Sequence, residues 1–288
     1  MGKEVAIRFV AEGGSVVING RDVAKAAAAA HEIDPTGKRV AVHIGDVALP
    51  ATGDAVVKAA LDRFGRLDVL FNNAGIFAPK PFLEVDETEY DRFLDIILKG
   101  TFFTAQAAAK AMKAAGHGGA IVQTGSMWAL QAIGATPSSA YSAAKAGVHA
   151  LVKNLAIELA ADKIRVNEIA PAVIETPVFN TFLTPEQVAA VLPTFNAFHP
   201  LGRHGQGGCG GSPLVSRLGS GELHHRRRVA CRRRRHGWPP VTADTTVLSP
   251  WEISDTSSVG RRENRRRSPS ERPSAGSADL SFGRRDLP

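Results

Sequence analysis

Val69-Leu70-Phe71-Asn72-Asn73-Ala74-Gly75 is the stretch that decides the fold. Three apolar residues read as a short buried strand, and the next four turn polar and end on glycine, as where a strand stops and opens into a loop. Towards the N-terminus, the apolar spacing predicts a helix from about Asp54 to Phe64 and a strand from Val40 to Ile44. Before these it predicts an alanine-rich helix from about Val23 to Glu32 and a strand Val16-Val17-Ile18, and first of all a helix over Lys3 to Glu12 closed by Gly13-Gly14. Towards the C-terminus it predicts a long helix over roughly Glu87 to Ala115 and a strand from Ala120 to Thr124. A helix from near Ser139 to about Ala161 and a strand over Arg165 to Ile169 follow. Short strands alternating with helices make an α/β fold with a parallel, doubly wound sheet. Such sheets bind ligands beyond the C-terminal ends of their strands.

Composition narrows the function classes. The 288 residues offer ample material for a core. No run approaches the ~18 apolar residues of a membrane span, and Lys3, Glu4 and Arg8 interrupt the first apolar stretch, so no signal peptide is expected. A cytoplasmic protein is the default expectation. The net charge of +7 is unevenly spread. Residues 207–288 hold 16 Arg, no Lys and 8 acidic residues, a net of +8, which leaves −1 for residues 1–206. Both cysteines, Cys209 and Cys231, lie in the basic tail. The first 206 residues therefore offer no disulfide framework and no thiolate metal site, and no metal is expected.

Tyr141-Ser142-Ala143-Ala144-Lys145 opens the helix before the last strand. A separation of four places Tyr141 and Lys145 on one helical face. A free tyrosine titrates near pH ~10 and is a poor acid–base catalyst at neutrality; a neighbouring ammonium favours the phenolate and lowers that value. Tyr141 could then give a proton to a carbonyl, or take one from an alcohol, as hydride moves. Ser126 follows the strand ahead of this helix, and its hydroxyl could hold the substrate oxygen. Alone, a Tyr-x-x-x-Lys spacing reads more readily as ordinary helix surface.

The full set is more specific. Asn72-Asn73-Ala74-Gly75 after one strand, Gly125-Ser126 after the next, Tyr141-x-x-x-Lys145, then Ile164-Arg165-Val166-Asn167 and Pro171 resembles the short-chain dehydrogenase/reductase family, in the right order from about Gly2 to Gln206. The resemblance implies a Rossmann-type, nicotinamide-dependent oxidoreductase interconverting an alcohol and a ketone. It implies a catalytic set of Ser126, Tyr141 and Lys145, with Lys145 also contacting the nicotinamide ribose. Cofactor contacts are implied at Gly2, Asn73, Ala74, Gly75, Pro171, Ile174 and Thr176, and at Asp46 and Val47 beside the adenine; Asp46 could otherwise cap a helix. Family members form homodimers or homotetramers. Ser126 and Tyr141 lie 15 residues apart, two more than is common in the family; an insertion in the Trp128–Pro137 loop accounts for this. Ser138 and Ser139 are rivals for the serine role, but they lie on the approach to the helix.

Two positions depart from the pattern. Ile97 stands before Leu98-Lys99-Gly100, where many members carry a catalytic Asn, and Pro171-Ala172 replaces the usual Pro-Gly. Isoleucine cannot support a proton relay through water, so an inert or merely cofactor-binding relative is a second reading. Cofactor choice turns on the end of the second family strand. An acidic residue there would bind the NAD ribose, but here the strand runs into Asn19-Gly20-Arg21. Arg21 could meet the 2′-phosphate of NADP, which tilts the expectation from NAD towards NADP, or could be a solvated turn residue. Phe179, Phe182, Leu183, Leu192 and Phe195 suggest an apolar lid, or else the packing of a helix pair.

The family opens with a strand and a Thr-Gly-x-x-x-Gly-x-Gly loop whose amides bind the pyrophosphate at a helix N-terminus. Here Met1-Gly2-Lys3 begins directly at that helix, with Gly2 matching the last glycine. The expectation is a doubly wound sheet lacking its first strand, its phosphate loop and its last strand. Arg226–Arg228 and Arg232–Arg235 invite a nucleic-acid reading, but arginine without lysine argues against it and fits GC-rich DNA read out of frame. Read one base later, codons for Cys209 to Gly237 can encode D-V-A-E-A, two loosely fixed residues and then F-L-A-S-D-R-A-S-S-I-T-G-A-V-W-H-V-D-G-G-V-M-A, which resembles the family's missing C-terminal helix and strand. Residues 1–206 are thus expected to form an incomplete Rossmann domain, and 207–288 a disordered Arg-rich tail arising from a frameshift.

Overall fold

The computed structural model describes residues 1–134 and 136–198. The expected division at 206 and the tail 207–288 lie outside the described residues. The order of elements is α1 (Gly2–Ala11), β1 (Val16–Gly20), α2 (Val23–Ile33), β2 (Val40–Ile44), α3 (Pro50–Phe64) and β3 (Val69–Asn72). Then come α4 (Glu87–Phe93), α5 (Gly100–Ala115), β4 (Gly119–Thr124), α6 (Ser139–Glu158), β5 (Ile164–Ile169) and α7 (Pro185–Val191).

Among the described residues all strand pairs are parallel, in keeping with a helix between successive strands. The sheet is in two parts. β1 pairs with β2, and β3-β4-β5 form a three-stranded sheet. Helix α1 packs against both: Ala6, Ile7 and Val10 lie with Val16, Ile18 and Val40, while Val5 and Phe9 lie with Val69, Phe71, Ala120 and Val122. The apolar face read from the sequence of α1 therefore serves both sheet parts.

The largest core cluster lies between the three-stranded sheet and helices α3, α5 and α6. Ile121 and Val122 in the central strand β4 are fully buried. Two boundaries differ most from the sequence reading. Helix α3 begins at Pro50, whose fixed φ and missing N–H suit a first helical turn. It continues through Gly53, where a Cβ would sit 2.9 Å from Thr104 Cα, so the glycine there permits close crossing with α5. The long helix expected over Glu87–Ala115 contains a π-helical turn, Leu94–Lys99, between α4 and α5. Such insertions in an α-helix are frequent at functional sites.

Candidate active site

The C-terminal ends of β3, β4 and β5 open onto one cleft of about 280 Å³. Of the sequence-predicted residues, Asn73, Gly75, Ser126, Tyr141, Lys145, Pro171, Ile174 and Thr176 line it. Met1, Ile76, Phe77, Trp128, Thr136 and Phe179 line it too. Gly2 lies at its edge, where a Cβ would meet Asn73 Nδ2 at 2.9 Å. Asn72 donates through Nδ2 to the Thr101 carbonyl at 3.2 Å, tying the end of β3 to α5.

Ser126 is buried and lies two residues past the end of β4. Its side chain accepts from the Trp128 amide at 3.3 Å and hydrogen bonds to Tyr141. Ser138 instead donates to the Thr136 carbonyl. The strand-end serine is therefore the one that the fold brings to Tyr141.

Lys145 is 4% exposed and donates to the Thr124 carbonyl at 2.5 Å. Its Nζ stands 5.9 Å from the Tyr141 ring centroid, one helical turn along α6. The electrostatics differ from the sequence expectation of a lowered tyrosine. Burial pushes the Tyr141 phenol above its ordinary value, and the hydrogen bond with Ser126 opposes this. Burial also lowers the Lys145 ammonium to about 8, against the pull of Glu168. Desolvation of both partners outweighs the attraction that i,i+4 spacing suggests.

Ile97 falls inside the π-helical turn and is fully buried among Phe93, Ala140, Ala144 and Val148. This side of α6 is apolar. The lid residues combine both sequence readings. Phe179 and Phe195 line the cleft, while Phe182, Leu183 and Leu192 pack behind them with Val173 and Trp128. Phe77 joins the two, 4.9 Å from the Tyr141 ring and 5.6 Å from that of Phe182.

Arg21 and Asp46 follow the ends of the paired strands β1 and β2 and approach each other to 3.6 Å. Both are substantially exposed, which leaves the pair cheap to rearrange. Asp46 also accepts from the Ala48 amide at 3.0 Å in the turn leading to α3, whose N-cap is Leu49. The Val47 carbonyl lies against Gly100, where a Cβ would sit 2.7 Å away. Ala74 continues the loop from Asn73 to Gly75 and is exposed.

Sequence reasoning missed Glu168 and His149. Glu168 Oε2 and His149 Nδ1 lie 2.7 Å apart behind the cleft. The signal was one of phase: in β5 the polar Arg165 and Asn167 alternate with the buried Ile164 and Val166, and Glu168 falls on the buried phase, where the register places it beside the buried Gln123. Among the described residues, no group of three or more His, Cys, Asp or Glu could hold a metal ion, and no helix is long and apolar enough to cross a membrane.

Comparison with known proteins matches residues 1–187 to the family model described as short chain dehydrogenase. The "(2S)-[(R)-hydroxy(phenyl)methyl]succinyl-CoA dehydrogenase subunit BbsD" of Thauera aromatica is 39% identical over 180 residues, 62% of this chain and 71% of that one. The L-rhamnose 1-dehydrogenase (NAD(P)(+)) of a Sphingomonas strain is 35% identical over 206 residues, 71% of this chain and 79% of its own. Among solved structures, a short-chain type dehydrogenase/reductase from Mycobacterium marinum superimposes with a TM-score of 0.70 at 31% identity, covering 76% of this chain and 84% of that one. A 3-oxoacyl-[acyl-carrier protein] reductase from Brucella melitensis, in complex with NAD, gives 0.67 at 31% identity over 76% and 85%.

Proposed function

This chain belongs to the short-chain dehydrogenase family, and from that premise we propose that it interconverts an alcohol and a ketone by hydride transfer with NADP(H) or NAD(H). One observation carries the reading: Ser126, Tyr141 and Lys145 meet in a single cleft at the C-terminal ends of three parallel strands. The bound cofactor supplies the hydride donor or acceptor. The residues at the cleft fit the nicotinamide end of such a molecule. Gly75 presents no side chain towards Lys145 Nζ, which a Cβ would leave 3.7 Å away. An ammonium has three N–H donors, and only one is needed for the Thr124 carbonyl. Lys145 would hold ribose hydroxyls, with Asn73 and Gly75 on one side and Pro171, Ile174 and Thr176 on the other.

Ser126 would fix the substrate oxygen, and Tyr141 would pass its phenolic proton to that oxygen during reduction or remove the proton during oxidation. The walls of Phe77, Trp128 and Phe179 would exclude water from the reacting carbon. Mixing the purified chain with reduced cofactor and a panel of ketones, and following the loss of reduced-nicotinamide absorbance, tests the reading. Absence of turnover for every ketone, together with no cofactor quenching of Trp128 fluorescence, would overturn it. Ile97 favours a second reading, a cofactor-binding relative without turnover; quenching without absorbance change would identify it.

We place the catalytic unit within residues 1–206 and give the Arg-rich residues 207–288 no part in the reaction. The family's habit of assembly and the composition of residues 1–206 support a homodimeric or homotetrameric cytoplasmic enzyme, which light scattering and cell fractionation test. NADP is the preferred cofactor in this reading because Arg21 stands at the end of β1, where swinging away from Asp46 would free it for a 2′-phosphate. Arg21→Asp should move the NADP-to-NAD ratio of kcat/KM towards NAD by about tenfold, roughly 1.4 kcal/mol. A ratio that stays within about twofold would show that Arg21 serves only the turn.

A further inference from the structure

Helix α6 carries Tyr141, Lys145 and His149 at successive intervals of four, so that one stripe runs from the cleft into the protein. Glu168 on β5 lies beneath this stripe. It is 3% exposed, and its Oε2 lies 2.7 Å from His149 Nδ1. Its Oε1 is buried without a hydrogen-bond partner. That oxygen is packed against Gly125, where a Cβ would fall only 1.6 Å from it. The residue before Gly125 is Thr124, whose carbonyl holds Lys145 Nζ.

We propose that Glu168 and His149 are positioning residues for Lys145: the buried carboxylate keeps the Lys145 ammonium charged, and the imidazole holds the carboxylate in place. This rests on the reading of Lys145 as a member of the catalytic set. The argument begins with cost. A buried carboxylate with one unpartnered oxygen is expensive unless a charge of opposite sign lies near. His149 meets Oε2; on the side of Oε1 the cation is Lys145, held by the carbonyl of the residue before Gly125. It is itself nearly dry, with desolvation driving it towards the neutral amine and Glu168 as the opposing influence. The opposite flank of α6 gives no polar help, because Ile97, Ala140, Ala144 and Val148 pack there. The ionisable groups around Lys145 are Tyr141 on its own helix, Glu168 from β5 with His149 behind it, and the Met1 amino group lining the same cleft. Of these, only Glu168 favours the charged amine as a carboxylate. Gly125 makes the arrangement possible, since any side chain there would occupy the place of the carboxylate.

The titration itself needs neither cofactor nor substrate; a separate activity assay accompanies it. In protein labelled with nitrogen-15 lysine, the Lys145 Nζ resonance is identified by its loss in Lys145→Met and titrated by NMR. The wild-type midpoint should lie near 8. In Glu168→Gln it should fall by about one unit, the scale of losing a nearby opposite charge, and Glu168→Asp should restore part of the shift. His149→Leu, on a partly exposed helix face, should lower the midpoint less, because the carboxylate then loses its orienting partner. That variant decides the matter if Glu168→Gln does not fold. An unmoved midpoint in a protein that still turns over ketone would overturn the positioning role and leave the hydride-transfer reading intact. A lowered midpoint in protein without dehydrogenase activity would support the positioning role while overturning the function proposed above.

Discussion

Tyr141→Phe should lower kcat/KM by roughly 10²–10⁴-fold, the usual contribution of a positioned acid or base. Only the phenolic oxygen is lost. The ring stays against Phe77 at 4.9 Å and Phe93 at 6.3 Å, and Lys145 keeps its bond to the Thr124 carbonyl. Cofactor affinity, read from fluorescence, should therefore change by less than about twofold. The loss should appear in kcat, because the missing interaction belongs to the transition state. The pH dependence has a defined sense. Burial raises the phenol, so Tyr141 is in its proton-donating form at neutrality, and the free enzyme should favour ketone reduction there. Oxidation, which needs the phenolate, should gain with rising pH. Residual turnover close to wild type in the variant would remove Tyr141 from the reaction.

Ile97→Asn, which inserts the residue common in the family, should destabilise this protein by about 3–4 kcal/mol. The side chain has no exposed surface and touches Phe93, Ala140, Ala144 and Val148. Replacing it removes packed methyl groups, at a cost in the range of about 0.5–5 kcal/mol for buried truncations. It also buries an amide in an apolar cluster, which adds roughly 1–3 kcal/mol. The denaturation midpoint should fall with little change in slope. The shift should also reach the site, since Ala140 and Ala144 flank Tyr141 on α6. A loss below about 1 kcal/mol would mean that the π-helical turn can rotate the new side chain out of the core. In that case the position remains free to take a polar role.

The sequence by itself determined the order and type of the elements, because helices and strands differ in the period of their apolar residues. Val69–Phe71 with its polar loop, and Tyr141 and Lys145 four residues apart, are local patterns that need no partner to be read. Ser126 was legible for the same reason: it lies just past a strand end, and strand ends are where this architecture gathers its site. The tertiary structure alone decided the rest. The bridging of the two sheet parts by α1 depends on contacts between segments distant in the chain. The start of α3 at Pro50 and the π-helical turn around Ile97 reflect packing against neighbouring elements, which periodicity does not contain. Arg21 and Asp46 pair only because β1 and β2 are adjacent. The raised phenol of Tyr141 and the lowered ammonium of Lys145 follow from desolvation, a property of everything packed around a group. Glu168 was one of three polar letters in β5 until the register set it beside Gln123 on the buried side of the strand and the fold brought it to His149. Local pattern fixes which side chains share a face; the depth at which they are buried fixes their charge.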